Sequence, residues 1–455
     1  MSLLKPILRR PFATLASVEL CLFGAAFILA TSATVHPATA VLVAGGILYG
    51  ALFGLSMFAM GLYARRQRAA FRGTALRAIA AITAGSAVLC VLALFCKESS
   101  PAFNALALSG AFSIAVIVLA RYGFEHLIDE TYFKRRVLVL GAGKLAAHIA
   151  RLRRRADRRG FHIHGFVPFP GEVTPSDVAP LVDTGVELLG YCRAHRIEEV
   201  VVALDEKRGD LPLQALIDVR ISGVPVMELI DFLERETATV RLDVVNPSWF
   251  IFASGFNQST WRQLSQRTFD ILMSSALLLA AAIPMFFVVA AIKLTEGRKA
   301  PLLYKQLRVG LEGRHFNVLK FRSMRTDAER FGAVWATKDD PRITSVGRFM
   351  RKTRIDELPQ IFNVFVGDMS FVGPRPERPQ FVEKFEEKIP YYRERHAVKP
   401  GITGWAQLCY AYGASEEDAF YKLQYDLYYI KRQSLVFDFL ILLQTIEVVL
   451  WGKGR

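Results

Sequence analysis

Four long apolar stretches crowd the front of this 455-residue chain, running roughly over 16–35, 38–64, 75–96 and 101–120. Each approaches the ~20 residues that a helix needs to cross the hydrocarbon of a bilayer. Four of them with almost no charge exceed what one soluble core can bury, so the chain needs a membrane-spanning region. Its basic residues set the direction. Residues 1–120 hold nine Lys and Arg against two acids, Glu19 and Glu98. Lys5, Arg9 and Arg10 precede the first stretch and Arg65 to Arg77 separate the second from the third, while the 31–40 turn carries no charge. The positive-inside rule then places the N-terminus, and the chain beyond Arg121, in the cytoplasm. A cleavable signal peptide would also start basic and turn apolar, but this apolar core is long for a signal and three more follow at once.

Composition narrows the partners. With 52% hydrophobic and 22% charged residues the chain is not a disordered polypeptide. Lys and Arg number 57 against 42 Asp and Glu, a formal charge of +15 that admits nucleic acid, anionic lipid or a phosphorylated substrate. The five cysteines, at 21, 90, 96, 192 and 409, form no Cys-x-x-Cys pair and match no zinc spacing.

Beyond Lys134 the pattern changes. Val137-Leu-Val-Leu140 runs into Gly141-Ala-Gly143-Lys-Leu-Ala146, a buried strand feeding a glycine turn and a helix. That arrangement cradles phosphate in dinucleotide-binding folds. About 20 residues further on, where such folds carry an acid for the ribose, the chain reads Phe161-His-Ile-His-Gly-Phe-Val167 and has none. This counts against NAD. A second strand at Glu199 to Leu204, helical sequence over 211–221 and Val224-Pro-Val-Met227 complete a β-α-β alternation. Residues 134–245 therefore read as a Rossmann-like domain with a parallel sheet, and the Arg151 to Arg159 cluster as a solvated helix face.

Thr268 to Leu294 is a fifth apolar stretch, interrupted by Ile283-Pro284. A mid-helix proline removes a hydrogen bond and kinks the rod. Basic residues flank both ends, Arg262 and Arg267 before and Lys293, Arg298 and Lys299 after, so charge favours no exit. The expectation is a re-entrant helix-break-helix over 268–294, broken at Pro284, which enters one leaflet and returns. An ordinary kinked span would instead put residues 295–455 outside the cell. The final apolar segment, Leu435 to Trp451, carries Asp438, Gln444 and Glu447 and suits an interfacial or packed helix.

Between lie the motifs that suggest chemistry. Lys320 and Arg322 sit in Asn317-Val-Leu-Lys-Phe-Arg-Ser-Met324, and Arg348-Phe-Met-Arg351-Lys-Thr-Arg354 runs into Ile-Asp356-Glu357-Leu-Pro359-Gln-Ile-Phe-Asn363. Pro359 fits a first helical turn and Gly367 a stop, so a helix should begin close to Asp356. There the helix dipole favours an ionised carboxylate and an incoming phosphate, and an ionised Asp can attack phosphorus. A plain helix cap explains the same two residues without chemistry. Pro374 and Pro376 pin the backbone on either side of Arg375, which gives that cation a fixed direction. Lys399-Pro-Gly401-Ile-Thr-Gly404-Trp-Ala-Gln407 is a glycine-bearing turn.

In this order the strings resemble the bacterial polyprenyl-phosphate sugar-1-phosphate transferases, the monotopic phosphoglycosyl transferases that start exopolysaccharide, capsule and O-antigen synthesis. The likeness is strongest over about 265–455. A four-span front and a Rossmann-like middle resemble the long-form members. Gly413-Ala-Ser-Glu-Glu-Asp418 and Lys422-Leu-Gln-Tyr-Asp426-Leu-Tyr-Tyr-Ile430 look like the exosortase-associated exopolysaccharide subgroup. The resemblance implies a UDP-sugar donor, an undecaprenyl phosphate acceptor and Mg2+, with Asp356 as nucleophile, Glu357 as its partner and both at the metal. It also sets Arg375, between Pro374 and Pro376, against the nucleotide. Lys320, Arg322 and Arg351 are the phosphate contacts chosen from the residues themselves. Two departures stand out: Ile283 precedes the proline where many members have a small or hydroxyl residue, and Leu408-Cys-Tyr410 follows Gln407 where many have Asn-Gly.

The expected protein is an α/β membrane protein of the bacterial inner membrane in three parts: four transmembrane helices over 1–125, the Rossmann-like domain over 134–245, and a mainly helical catalytic domain over 262–455. The last two face the cytoplasm, with membrane lipid and no nucleic acid as partner. Regulation, a homodimer contact and inertness are all open for the middle domain. The competing readings are a non-catalytic scaffold of polysaccharide assembly and a membrane-tethered NAD-dependent sugar-nucleotide dehydratase built on Gly141 and Gly143.

Overall fold

The computed structural model describes residues 10–34, 39–60, 62–63, scattered positions between 74 and 89, 100–127, 134–152, 155–158, 160–184, 187–205, 211–256, 259–325, 340–410, 413 and 415–451. These fall into two compact units, Met1–Val244 and Val245–Arg455.

The first unit opens with helices α1 (Arg10–Thr34), α2 (Thr39–Ala59) and α3 (Ser100–Leu127), which cover the first, second and fourth apolar stretches. Half of the third, 75–96, lies outside the described residues. Segments Thr14–Thr34, Thr39–Phe58 and Asn104–Phe124 are each long and apolar enough to cross a membrane. Most of their surface is apolar and outward, as in Leu29, Val41, Ile47, Leu48 and Leu119. α1 packs against both α2 and α3. A charge is tolerated inside this apolar bundle only as a pair. Glu19 on α1 is fully buried, and Arg121 on α3 donates to its Oε2 from Nη2 at 2.9 Å while the Tyr63 hydroxyl donates to the same oxygen.

The same unit contains the expected parallel sheet: β1 (Arg135–Leu140), β2 (Phe161–Val167), β3 (Glu199–Val202) and β4 (Val226–Glu228), ordered β2-β1-β3-β4. The period of two along β1 explains why helices cover both faces. Val137 and Val139 face one core with α4 (Lys144–Ala150) and α7 (Leu229–Thr237). Leu138 and Leu140 face the other with α5 (Leu188–Ala194) and α6 (Leu213–Ile221). Arg151 points outward and pairs with Asp177 at 2.5 Å, as a solvated face would.

In the second unit, α8 runs from Thr260 to Glu296. The expected interruption at Ile283-Pro284 is absent: 37 residues form one helix with Pro284 inside it. An internal proline removes one hydrogen bond and bends a helix without ending it. The domain that follows is mainly helical, as expected, and also carries two small sheets. β5 (Leu303–Val309) pairs antiparallel with β6 (His315–Phe321), and β7 (Ser370–Val372) pairs parallel with β8 (Gly401–Thr403). Around them lie α9 (Ser345–Thr353), α10 (Gln360–Val366), α11 (Pro379–Lys388), α12 (Glu416–Arg432) and α13 (Leu435–Trp451).

α12 starts at a capping box, Ser415 with Asp418, and buries Leu423, Leu427, Tyr428 and Tyr429. α13 is a packed helix, with Phe437, Leu440 and Ile441 buried and Asp438 accepting from the Tyr429 hydroxyl at 2.8 Å. The turn before Arg375 is a tight backbone crossing. A Cβ on Gly373 would stand 2.3 Å from the Lys399 carbonyl oxygen and 2.8 Å from the Gly401 nitrogen. Both obstacles are main chain, so nothing can swing aside. Gly373→Ala is expected to cost about 3 kcal/mol, seen as a lower denaturation midpoint at unchanged slope.

Candidate active site

Asp356 and Glu357 lie on a 3₁₀ turn, Ile355–Glu357, and not at the start of a helix as the proline pattern suggests. Arg354 closes α9 in the left-handed conformation (φ 60°), which turns the chain sharply into the pair, and α10 begins only at Gln360 behind Pro359. α9 and α10 bracket the turn, and α10 is tied to β6 through one side chain. The Leu319 N–H donates to Asn363 Oδ1 at 3.0 Å, and Asn363 Nδ2 donates to the Asn317 carbonyl at 2.8 Å. That amide sets the register between β6 and the carboxylate turn.

In this register Lys320 Nζ reaches Glu357 Oε1 at 3.2 Å. Arg375 Nη2 approaches the same oxygen at 3.4 Å and Arg354 Nη1 at 3.7 Å. Burial alone would raise Glu357, but Lys320, Arg375 and Arg354 together bring it down to about 2, so it stays a fixed anion. Asp356 is the opposite case. It is 8% exposed, and its buried Oδ1 has no hydrogen-bond partner. Burial, then the charge of Glu357, lifts its pKa to about 6 against the pull of Lys320, Arg351 and Arg354. Adjacent carboxylates are thereby split into a permanent anion and a group poised to change state near neutrality. Lys320, buried beside them, is held below its usual range by desolvation, which Glu357 offsets in part.

Arg375 is braced from three sides. Its Nη1 donates to Gln407 Oε1 at 3.1 Å, its carbonyl accepts from Arg395 Nη2 at 3.0 Å, and the next carbonyl, Pro376, accepts from Arg308 Nη1 at 2.8 Å. Arg395 is itself buried, paired with Asp426 at 3.0 Å and donating to the Tyr392 hydroxyl at 2.7 Å. The two prolines restrict the strand that these cations hold.

Comparison with known proteins gives the family. Residues 261–452 match the family described as bacterial sugar transferase. Over 349 residues the chain is 32% identical to a UDP-glucose:undecaprenyl-phosphate glucose-1-phosphate transferase of Xanthomonas campestris pv. campestris, covering 75% of this chain and 72% of that one. The chain belongs to the bacterial sugar transferase family. It is also 39% identical over 237 residues to a UDP-N-acetylgalactosamine-undecaprenyl-phosphate N-acetylgalactosaminephosphotransferase of Aeromonas hydrophila, over 51% of this chain and 54% of that one. An undecaprenyl-phosphate glucose phosphotransferase of Komagataeibacter xylinus is 35% identical over 357 residues, 75% of this chain and 65% of the relative. The chain thus spans about half to two thirds of the length of these last two relatives.

The residues chosen from sequence divide cleanly. Asp356, Glu357, Lys320 and Arg375, the last set between Pro374 and Pro376, come together, and Arg351 adds its field to Asp356. Arg322 does not join them: its buried guanidinium pairs with Glu296 at the end of α8. The site also uses Arg354, Asn363, Arg395, Gln407 and Asp426, to which the sequence reading gave no role. Gln360 and Asn363 carry a legible signal, because they share the buried side of α10 with Ile361 and Val364. A polar residue on a buried helical stripe asks for a partner.

Proposed function

We propose that this protein transfers a sugar-1-phosphate from a UDP-sugar to undecaprenyl phosphate and releases UMP, as the first membrane step of exopolysaccharide, capsule or O-antigen synthesis. The observation that carries the reading is the unpartnered Asp356 oxygen beside an anion ringed by Lys320, Arg354 and Arg375. The names of the relatives above support the same reaction.

In the first step a carboxylate oxygen of Asp356 bonds to the phosphorus that bears the sugar. The bond from that phosphorus to the oxygen bridging to the uridine phosphate breaks, and UMP leaves with the electron pair. In the second, an oxygen of undecaprenyl phosphate attacks the same phosphorus, the aspartyl–phosphorus bond breaks, and Asp356 returns as a carboxylate. Glu357 holds Lys320, Arg354 and Arg375 in place, and these cations face the equatorial oxygens as charge redistributes. Because Arg375 is braced through its own carbonyl and that of Pro376, it meets the diphosphate without prior ordering.

A magnesium ion is commonly held by one or two carboxylates plus substrate phosphate oxygens. The orphaned Asp356 Oδ1 fits that donor set, whereas Glu357 Oε1 is already shared by three cations, so Asp356 and the diphosphate would hold the ion. When bound, it would neutralise diphosphate charge.

We place this chemistry on the cytoplasmic face of the inner membrane, with α8 bent at Pro284 so that it enters and leaves the same leaflet. A straight helix of 37 residues would measure about 55 Å, well beyond a ~30 Å hydrocarbon core. Both of its ends engage the same folded domain. Arg267 donates to the Val364 and Phe365 carbonyls at 2.8 and 2.7 Å, while Ile292 packs with Phe321 and Met350 and Glu296 pairs with Arg322. Between them Leu272, Leu279, Ile283, Phe286 and Phe287 stand exposed. A domain that grips both ends of an apolar helix favours one side of the membrane for both. A cysteine placed at Lys299 is expected to react with an impermeant reagent only after the cytoplasmic face is opened. Labelling from the periplasm would sink the re-entrant placement.

The reaction is tested by incubating purified protein with magnesium, a panel of UDP-sugars and undecaprenyl phosphate and measuring UMP. If no sugar yields UMP the proposal fails. The same assay across a pH series checks the role of Asp356. Only its ionised form attacks, so kcat/KM is expected to fall by about tenfold per unit on the acid side of a midpoint near 6. A profile flat through that region would separate Asp356 from the chemistry.

A further inference from the structure

The doubly wound sheet of the first unit has its topological switch point between β1 and β3, where this fold takes phosphate-bearing ligands. The glycine turn that would receive them, Gly141-Ala-Gly143, follows β1. A pyrophosphate there would need the backbone N–H groups that open α4. Those groups are already bonded within the chain. Lys144 N–H and Leu145 N–H donate to the two carboxylate oxygens of Asp205, each at 2.8 Å, and Ala142 N–H donates to Glu172 Oε2 at 2.8 Å. Glu172 also accepts from Phe169 N–H at 3.3 Å and, through Oε1, from Asp205 N–H at 3.2 Å.

Glu172 thus holds the backbone of Asp205, whose carboxylate holds the first amides of α4, so the loops that follow β1, β2 and β3 are tied together. Gly143 fits this lock and not a ligand: a Cβ on it would lie 2.3 Å from Asp205 Oδ2. We infer that the phosphate cradle of this domain is permanently filled by Asp205 and Glu172, so that the domain takes no dinucleotide or nucleoside polyphosphate there and uses the glycine turn to clamp three loops together. An entering phosphate would have to displace two tethered anions that already make charge-assisted bonds, and would meet their like charge in doing so. The Gly141-x-Gly143 string therefore does not support the dehydratase reading.

The test is backbone hydrogen exchange on the full-length protein in lipid nanodiscs, read at Ala142, Lys144 and Leu145, with and without millimolar NAD+ or ATP. The wild type is expected to protect these amides equally in both conditions, and an 8-azido-ATP photoprobe should leave no adduct on residues 141–145. Asp205→Ala with Glu172→Ala should speed exchange at the three amides roughly tenfold or more, while Val139 and Val201 in the sheet stay protected. Where those two also lose protection and the domain has unfolded, Glu172→Ala alone supplies the comparison at Ala142. Added protection by nucleotide in the wild type, a photoprobe adduct on the turn, or unchanged exchange after the carboxylates are removed would each overturn the inference.

Discussion

Replacing Asp356 by asparagine is expected to abolish UMP release and, at neutral pH, to make the protein more stable. The first effect follows from loss of the attacking oxygen pair: an amide does not form the acyl phosphate, and removing a nucleophile that acts as part of a unit costs roughly three orders of magnitude or more. The second follows from the pKa of about 6. A carboxyl whose folded value lies above its unfolded 3.8 binds its proton more tightly in the folded state. Its contribution to stability is therefore complete below the unfolded value and is lost as pH rises through the folded one. At pH well above 6 the ionised Asp356, buried beside Glu357, opposes folding by on the order of 3 kcal/mol. Asparagine is nearly the same size and carries no charge, so that opposition disappears. Thermal denaturation of both proteins over a pH series gives the answer. The Asn variant should melt higher above pH 6, and the difference should close on the acid side. An Asn variant that releases UMP at the wild-type rate, or that melts lower throughout, would refute the poised nucleophile.

Much of the parallel sheet was legible because Val137 to Leu140 is apolar at every position, as a strand buried on both faces must be. The carboxylate site was legible only as strings. Lys320 and Arg322 are two apart, so as strand residues they would share a face, yet only Lys320 reaches Glu357. The strand ends at Phe321, and Arg322, one residue past it, pairs with Glu296 at the end of α8 instead. The same distance problem hid the filled cradle. A search for an acid about 20 residues after the glycine turn finds none, because the carboxylates that occupy it stand 30 and 61 residues beyond the amides they bind. Turn chemistry misled in one place: Pro359 announces a helix start, but the left-handed Arg354 puts Asp356 and Glu357 on a separate 3₁₀ turn before it. Pairings set by packing are invisible in local sequence even when both partners are quoted side by side.

Arg395 and Asp426 are such a pairing, and Arg395→Met is expected to damage both stability and catalysis. The guanidinium and the carboxylate are 6% and 3% exposed, and Asp426 sits near 6 because burial raises it and Arg395 pulls it back. Removing the cation leaves a buried carboxylate with only the weaker field of Lys422, which costs about 3–5 kcal/mol. It also takes the donor from the Arg375 carbonyl and from the Tyr392 hydroxyl. A double variant separates the two roles. With Arg395→Met and Asp426→Leu together, an apolar pair of similar volume replaces the ions, and such exchanges are often close to neutral for stability. Most of the lost denaturation midpoint should return. Arg375, however, still lacks the brace on its own carbonyl, although Gln407, Glu357 and the Arg308 contact at Pro376 remain. Its diphosphate contact should therefore stay impaired, with KM for the UDP-sugar raised several-fold in a protein that is folded. If the double variant is as unstable as the single one, Asp426 is not the source of the penalty. If it regains wild-type KM along with its stability, Arg395 serves the fold alone and does not position Arg375.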